Sequence, residues 1–78
     1  MVKERKNKER LKYMGSRVRE ERLKQELELA DVAYSSELEI PQLSNFERGK
    51  SEIYGTSLVL VLAFLNIDPR TLVPKNDH

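Results

Sequence analysis

Residues that could carry catalytic or metal chemistry are scarce in this 78-residue sequence. There is no cysteine, which excludes disulfides, thiolate nucleophiles and cysteine-bound zinc. The single histidine is His78, the last residue. The carboxylates do not have the spacing of metal ligands, and the sequence contains no glycine-rich loop of the kind that binds phosphate. We therefore expect neither an enzyme nor a protein that holds a metal or another cofactor.

Arg22 and Glu47 are the charged residues whose positions predict a specific interaction. Arg22 follows Val18 by four residues on an apolar helical stripe. Glu47 follows Leu43 by the same spacing on another stripe. Because a buried charge is tolerated only when it is paired and hydrogen-bonded, this predicts that Arg22 and Glu47 pair and tie two helices together. The alternative is that both lie at a stripe edge and reach water.

Glycine and proline are scarce, and the sequence between them is typical of short helices. The first helix ends near Gln25. Either Gly15 marks its start and residues 1–13 form an arm, or the helix extends into that segment, since glycine inside a helix costs only about 1 kcal/mol. Apolar residues spaced by three and four predict a second helix over residues 29–36. Residues 74–78 are predicted to be a disordered tail.

Proline and glycine also set the limits of the third helix. Pro41 suits the first helical turn, where its missing N–H is not needed, and Gly49 follows the helix end. A fourth helix is predicted over residues 58 to about 66, and it is apolar on every side. A domain of this size cannot bury that whole surface by itself, so part of it is expected to meet a second copy of the chain. Residues 68–73 are predicted to form one last short turn of helix.

The net charge of +1 conceals an uneven distribution. Residues 1–24 carry ten Lys or Arg and four Glu, whereas residues 25–47 carry six acidic residues and no basic ones. A basic segment of this kind can meet a polyanion, although solvated helix faces that balance one another would give the same composition. The longest apolar run has eight residues, against about 20 for a membrane span. With no export signal either, we expect a cytoplasmic protein.

With this order of helices, the sequence resembles the Cro/C1-type (XRE-family) helix-turn-helix repressors over residues 14–73. The most specific match is residues 43–50 (LSNFERGK), and weaker matches lie at residues 17–22 and 65–72 and at Leu27 with Val32 and Ala33. The resemblance implies an all-α, five-helix, lambda-repressor-like DNA-binding domain with a basic N-terminal extension, in which helices two and three form the helix-turn-helix. It also implies the pairing of Arg22 with Glu47, since in this family an arginine of helix one pairs with the glutamate before Arg-Gly.

The resemblance implies a sequence-specific transcriptional repressor that binds duplex DNA as a homodimer, with the third helix in the major groove. The base-facing positions would then be Ile40, Pro41, Gln42, Ser44 and Asn45. Gln42 and Asn45 can make paired hydrogen bonds to adenine, whereas Ile40 and Pro41 offer apolar contact to a thymine methyl. Simple solvation of both carboxamides is the alternative. Phosphate contacts would fall to Arg48, Lys50, Lys12 and Arg10, with a helix cap as the alternative for Arg48.

Several residues depart from the family pattern. Leu29 stands where a phosphate-contacting glutamine is frequent, Glu37 where a glycine is frequent, and Ser36 where an apolar residue is usual. Glu37 and Glu39 put negative charge near the expected DNA surface, although Glu39 could instead favour the helix dipole. The acidic middle and the apolar fourth helix support an alternative function, a protein-binding module on the same fold (an antirepressor or partner-dependent regulator). The fourth helix and the last turn are the candidate dimer interface.

Overall fold

The computed structural model describes the backbone of residues 2–73 and the side chains of residues 7–73, and this part of the chain is all-helical. Its α-helices are α1 (Val2–Lys24), α2 (Leu29–Ser35), α3 (Ile40–Glu47) and α4 (Gly55–Leu65). A 3-10 turn, η1, follows over Pro69–Leu72. The predicted all-α class is confirmed, but the fifth element is a 3-10 turn of four residues rather than an α-helix. The predicted tail, residues 74–78, lies outside the described residues.

The basic N-terminal segment is the first half of α1. The helix continues through Gly15 without a break, so of the two alternatives for residues 1–13 the described part has the helical extension. The predicted stripe of α1 faces the core, because Val18 and Arg22 are buried and Leu11 packs against the core. α1 therefore contributes both a packed face and a row of basic side chains.

The hydrophobic core lies where the four helices meet. Full burial of a large apolar side chain in this core stabilises the fold by about 1.5–3 kcal/mol. α3 turns Leu43 and Phe46 inward, which leaves its opposite side toward solvent. The buried apolar side chains come from all the helices, the segments that follow α3 and α4, and η1: Val18, Val32, Ala33, Leu43, Phe46, Ile53, Val61, Leu65, Ile67 and Leu72.

α4 leaves an apolar strip uncovered. The helix begins at Gly55, three residues before the predicted start, so Gly55, Thr56 and Ser57 form its first turn. Val61 and Leu65 are buried, whereas Val59 is 63% exposed and Phe64 is 43% exposed. The helix is thus too apolar for its single buried face, as its composition predicts.

Gly15 marks a close approach of α1 to α3. It is buried, and a Cβ added there would overlap the carbonyl oxygen of Phe46 and stand 3.0 Å from that of Glu47. Gly49, which follows α3, in turn lies against α1, because an added Cβ would be 2.7 Å from Cγ of Lys12. Its φ of +73° also favours glycine. The two glycines allow α1 and the end of α3 to pack backbone against backbone.

The connection between α2 and α3 contains two unfavourable local features. Glu37 has a φ of 59°, a left-handed conformation that costs a residue with a Cβ about 1 kcal/mol. The sequence resemblance expects glycine here, and the backbone conformation is one that glycine adopts freely. Ser36 is fully buried, and its hydroxyl has no hydrogen-bond partner among the described residues.

Gly15→Ala is expected to lower the free energy of unfolding by about 2 kcal/mol, because the methyl group must push α1 away from the α3 backbone. Helix propensity alone would have the opposite sign, a gain of about 1 kcal/mol. Urea unfolding followed by circular dichroism measures the difference. Ser16→Ala, at an exposed position in the same turn, is the matched control and should change stability by no more than about 0.5 kcal/mol. A stabilised Gly15→Ala would contradict the close packing.

Glu37→Gly is expected to raise the free energy of unfolding by up to about 1 kcal/mol, because glycine adopts the left-handed conformation without a Cβ penalty. Glu37→Ala removes the same charge but keeps the Cβ, so it should give no such gain. Urea unfolding of the two variants separates the causes. Equal stabilisation of both would assign the effect to the lost charge instead of the backbone.

Candidate functional site

An ion pair between Arg22 of α1 and Glu47 of α3 fixes the position of α3. Nε of Arg22 donates to Oε2 of Glu47 at 2.8 Å, and Nη2 donates to Oε1 at 3.0 Å. The two residues are only 7% and 6% exposed. The predicted pair is therefore present, and it is buried and bidentate rather than at a solvated stripe edge.

Arg22 also reaches the connection that leads into α2. Its Nη1 donates to the carbonyl oxygen of Leu27 at 2.9 Å. Hydrogen bonding to Glu47 raises the pKa of Arg22 above its ordinary value and outweighs burial, which would lower it. The guanidinium therefore stays charged and joins α1, the start of α2 and the end of α3.

The predicted base-facing residues lie together on α3, and none of them is buried. The buried side of the helix is occupied by Leu43, Phe46 and Glu47. The outer side of α3 is therefore exposed and mostly polar, while its inner side packs in the core and pairs with Arg22. Of the five predicted residues, Ile40, Pro41 and Gln42 are exposed, and Ser44 and Asn45 are half-buried.

The start of α3 is held by one of these residues. Oε1 of Gln42 accepts a hydrogen bond from the backbone N–H of Glu39 at 2.7 Å. Pro41 occupies the first turn, as predicted, where no N–H is needed. Glu39 immediately precedes the helix, a place where the helix dipole favours negative charge. Gln42 is thus both an exposed side chain and a helix cap.

The other carboxamide is held at the opposite end of the helix. Nη2 of Arg48 donates to Oδ1 of Asn45 at 2.8 Å. Arg48 is the C-terminal capping residue of α3 and is exposed. The predicted base contact Asn45 and the predicted phosphate contact Arg48 are therefore joined in one hydrogen-bonded unit.

Basic side chains surround the C-terminal end of α3. Arg48 and Lys50 are exposed there, and Lys12 of α1 lies against Gly49. Arg19 of α1 lines a cavity of about 380 Å³ together with Arg48. Three of the four predicted phosphate contacts are thus brought together, with Arg19 as a fourth cation.

The sequence prediction missed Arg19. The signal that could have found it is spacing, because Lys12, Gly15, Arg19 and Arg22 follow one another at three, four and three residues along one stripe of α1. Arg10, in contrast, donates from Nη1 to Asn7 at 3.5 Å and lines a separate cavity beside Glu52. It is therefore the predicted phosphate contact that the structure does not bring to the end of α3.

Two other kinds of site are absent from the part of the chain that the structure describes. Its carboxylates form no group of three or more that could hold a metal ion. None of its helices combines the length and the apolar composition that a membrane span requires.

Arg22→Met is expected to lower the free energy of unfolding by about 3 kcal/mol, because the buried Glu47 carboxylate loses its partner. The double variant with Glu47→Leu replaces the pair by apolar side chains and should recover much of that loss. Urea unfolding of the wild type, both single variants and the double variant gives the coupling energy. An unchanged or higher free energy of unfolding for Arg22→Met would show that the pair does not tie the helices together.

No family model matches this sequence, and no curated protein and no solved structure matches it. The resemblance to the Cro/C1-type repressors therefore stays a prediction from the residues quoted above.

Proposed function

We propose that this chain is a sequence-specific regulator of transcription, a repressor, that binds duplex DNA as a homodimer. In this proposal α2 and α3 act as a helix-turn-helix, and α3 enters the major groove. The observation that carries the proposal is the make-up of α3. Its inner side is locked to α1 by Arg22 and Glu47, while its outer side presents polar side chains bordered by basic ones.

The rigidity of α3 supports this role. A helix with its side chains is about 10–12 Å across, which suits a major groove about 12 Å wide. The ion pair and the close approach at Gly15 hold the helix in one position, so little conformational freedom is lost when it binds. A polar face held in this way can discriminate among base edges.

The distribution of charge supports phosphate contacts at one end of α3. Four basic residues lie near its C-terminal end: Lys12, Arg19, Arg48 and Lys50. Glu37 and Glu39 are exposed near its N-terminal end, where they disfavour a phosphate. We therefore assign the phosphate contacts to the C-terminal end of α3 and to the stripe of α1 beside it.

The uncovered strip of α4 supports the homodimer. Val59 and Phe64 are exposed, and α4 contains no charged residue. Val73, just after η1, is also 42% exposed. In the proposed dimer a second copy covers α4 and the segment around η1.

A protein-binding module on the same fold is the second candidate, and two observations favour it. The same strip of α4 would receive a different protein, and the acidic residues Glu37 and Glu39 would weaken DNA binding. This candidate expects tight association with a protein partner and no retention of duplex DNA.

Selection of bound duplexes from a randomised pool, followed by a salt titration of the selected duplex, tests the proposal. We expect a palindromic sequence and a linear fall of log affinity with log salt, with a slope of about −0.9 per phosphate contact. Lys50→Ala should make the slope shallower by about 1 per protomer without changing the selected sequence.

Lys24→Ala is the matched control. Lys24 is an exposed lysine of the same helix as Lys12, and their separation of twelve positions corresponds to about 18 Å along the helix axis. The slope should not change in this variant. If the wild type retains no duplex at low salt, DNA binding is excluded. A chain that stays monomeric at high concentration would contradict both the homodimer and the use of α4 as a binding surface.

A further inference from the structure

Both carboxamide oxygens on the outer side of α3 already accept hydrogen bonds from the protein. Oε1 of Gln42 accepts from the backbone N–H of Glu39, and Oδ1 of Asn45 accepts from the guanidinium of Arg48. Both partners are hydrogen-bond donors, so the atom that faces each of them must be the amide oxygen and not the NH₂ group. Within the described residues, neither Nε2 of Gln42 nor Nδ2 of Asn45 donates a hydrogen bond.

The edges of the bases differ in what they require from a carboxamide. Adenine presents an acceptor, N7, beside a donor, N6, so paired bonds need the amide oxygen to accept from N6. On this helix, that N–H would have to share the oxygen with a donor already in place. Guanine presents two acceptors, N7 and O6, and can be bound by the NH₂ group alone.

We propose that Gln42 and Asn45 read guanine, not the adenine that their residue types suggest. This inference rests on the proposed DNA binding. The two residues are three positions apart on α3, so their side chains are neighbours on one face, with Cβ atoms about 5–6 Å apart. Their NH₂ groups therefore offer donors from one face of the helix to nearby base pairs in the groove.

The two carboxamides are held by partners of different kinds. The donor to Gln42 is a backbone N–H, which no ordinary side-chain substitution removes. The donor to Asn45 is the charged side chain of Arg48, and a charge-assisted hydrogen bond is roughly twice as strong as a neutral one. Arg48 is therefore a positioning residue for base choice in addition to a phosphate contact, and replacing it releases the oxygen of Asn45.

Selection from the random pool with the wild type, Gln42→Ala and Asn45→Ala identifies the base pairs that each residue reads. The pair read by a residue is the one whose preference disappears in its alanine variant. We expect guanine at both positions in the wild-type selection. Replacing either guanine by adenine should lower affinity roughly 5- to 150-fold, and 7-deazaguanine, which lacks the N7 acceptor, should also lower it.

Arg48→Met then tests the positioning role. At the base pair read by Asn45, the ratio of guanine to adenine affinity should fall at least about fivefold, while the ratio at the Gln42 position should not change. Lys50→Ala is the matched control, because it removes a neighbouring cation and keeps the backbone N–H of residue 50, which donates to the carbonyl oxygen of Asn45 at 2.9 Å. It should weaken binding to both duplexes equally and leave both ratios unchanged.

Several results would overturn the inference and leave the proposed function standing. These are a preference other than guanine at either position, alanine variants that keep every wild-type preference, and an unchanged ratio in Arg48→Met. If the wild type retains no duplex at all, the proposed function and this inference are both overturned.

Discussion

The buried ion pair between Arg22 and Glu47 determines where α3 lies. Removing two charges from water costs several kcal/mol per ion, and only well-formed hydrogen bonds offset that cost. Here the guanidinium meets both carboxylate oxygens, and its remaining amino group reaches the Leu27 carbonyl. Because these bonds tolerate little displacement, α1, the connection to α2 and α3 are held as one unit. A domain of this size has little core volume with which to do the same.

The pair lies beside a close approach of two backbones. Gly15 lies against the carbonyl groups of Phe46 and Glu47, and Gly49 lies against Lys12. The approach has an electrostatic consequence, since Lys12 and Arg19 share the stripe of α1 that carries Gly15. One stripe therefore packs α1 against α3 and places basic side chains at the end of α3. Fold and charge distribution are coupled through the same contact.

The residues just before α3 have unfavourable local conformations, whereas the residues of α3 suit a helix. Glu37 takes a left-handed conformation, and the buried hydroxyl of Ser36 lacks a partner among the described residues. α3 itself has proline in its first turn, a capped start and a glycine after its end. Departures of this kind cluster near functional sites in proteins. Here they lie at the approach to the helix that we propose to read DNA.

The sequence by itself determined the all-α class and the inner faces of α1, α2 and α3. It offered Arg22 and Glu47 as a pair beside the alternative of two solvated charges, and the structure contains the pair. These predictions depend on residue spacing along one helix and on the rule that a buried charge needs a partner. Only the tertiary structure decided the role of Gly15 and the position of Arg19, because both depend on how α1 crosses a helix more than twenty residues away. It also decided the orientation of the carboxamides of α3, since spacing alone allows such a group to bond either to a neighbouring donor or to water.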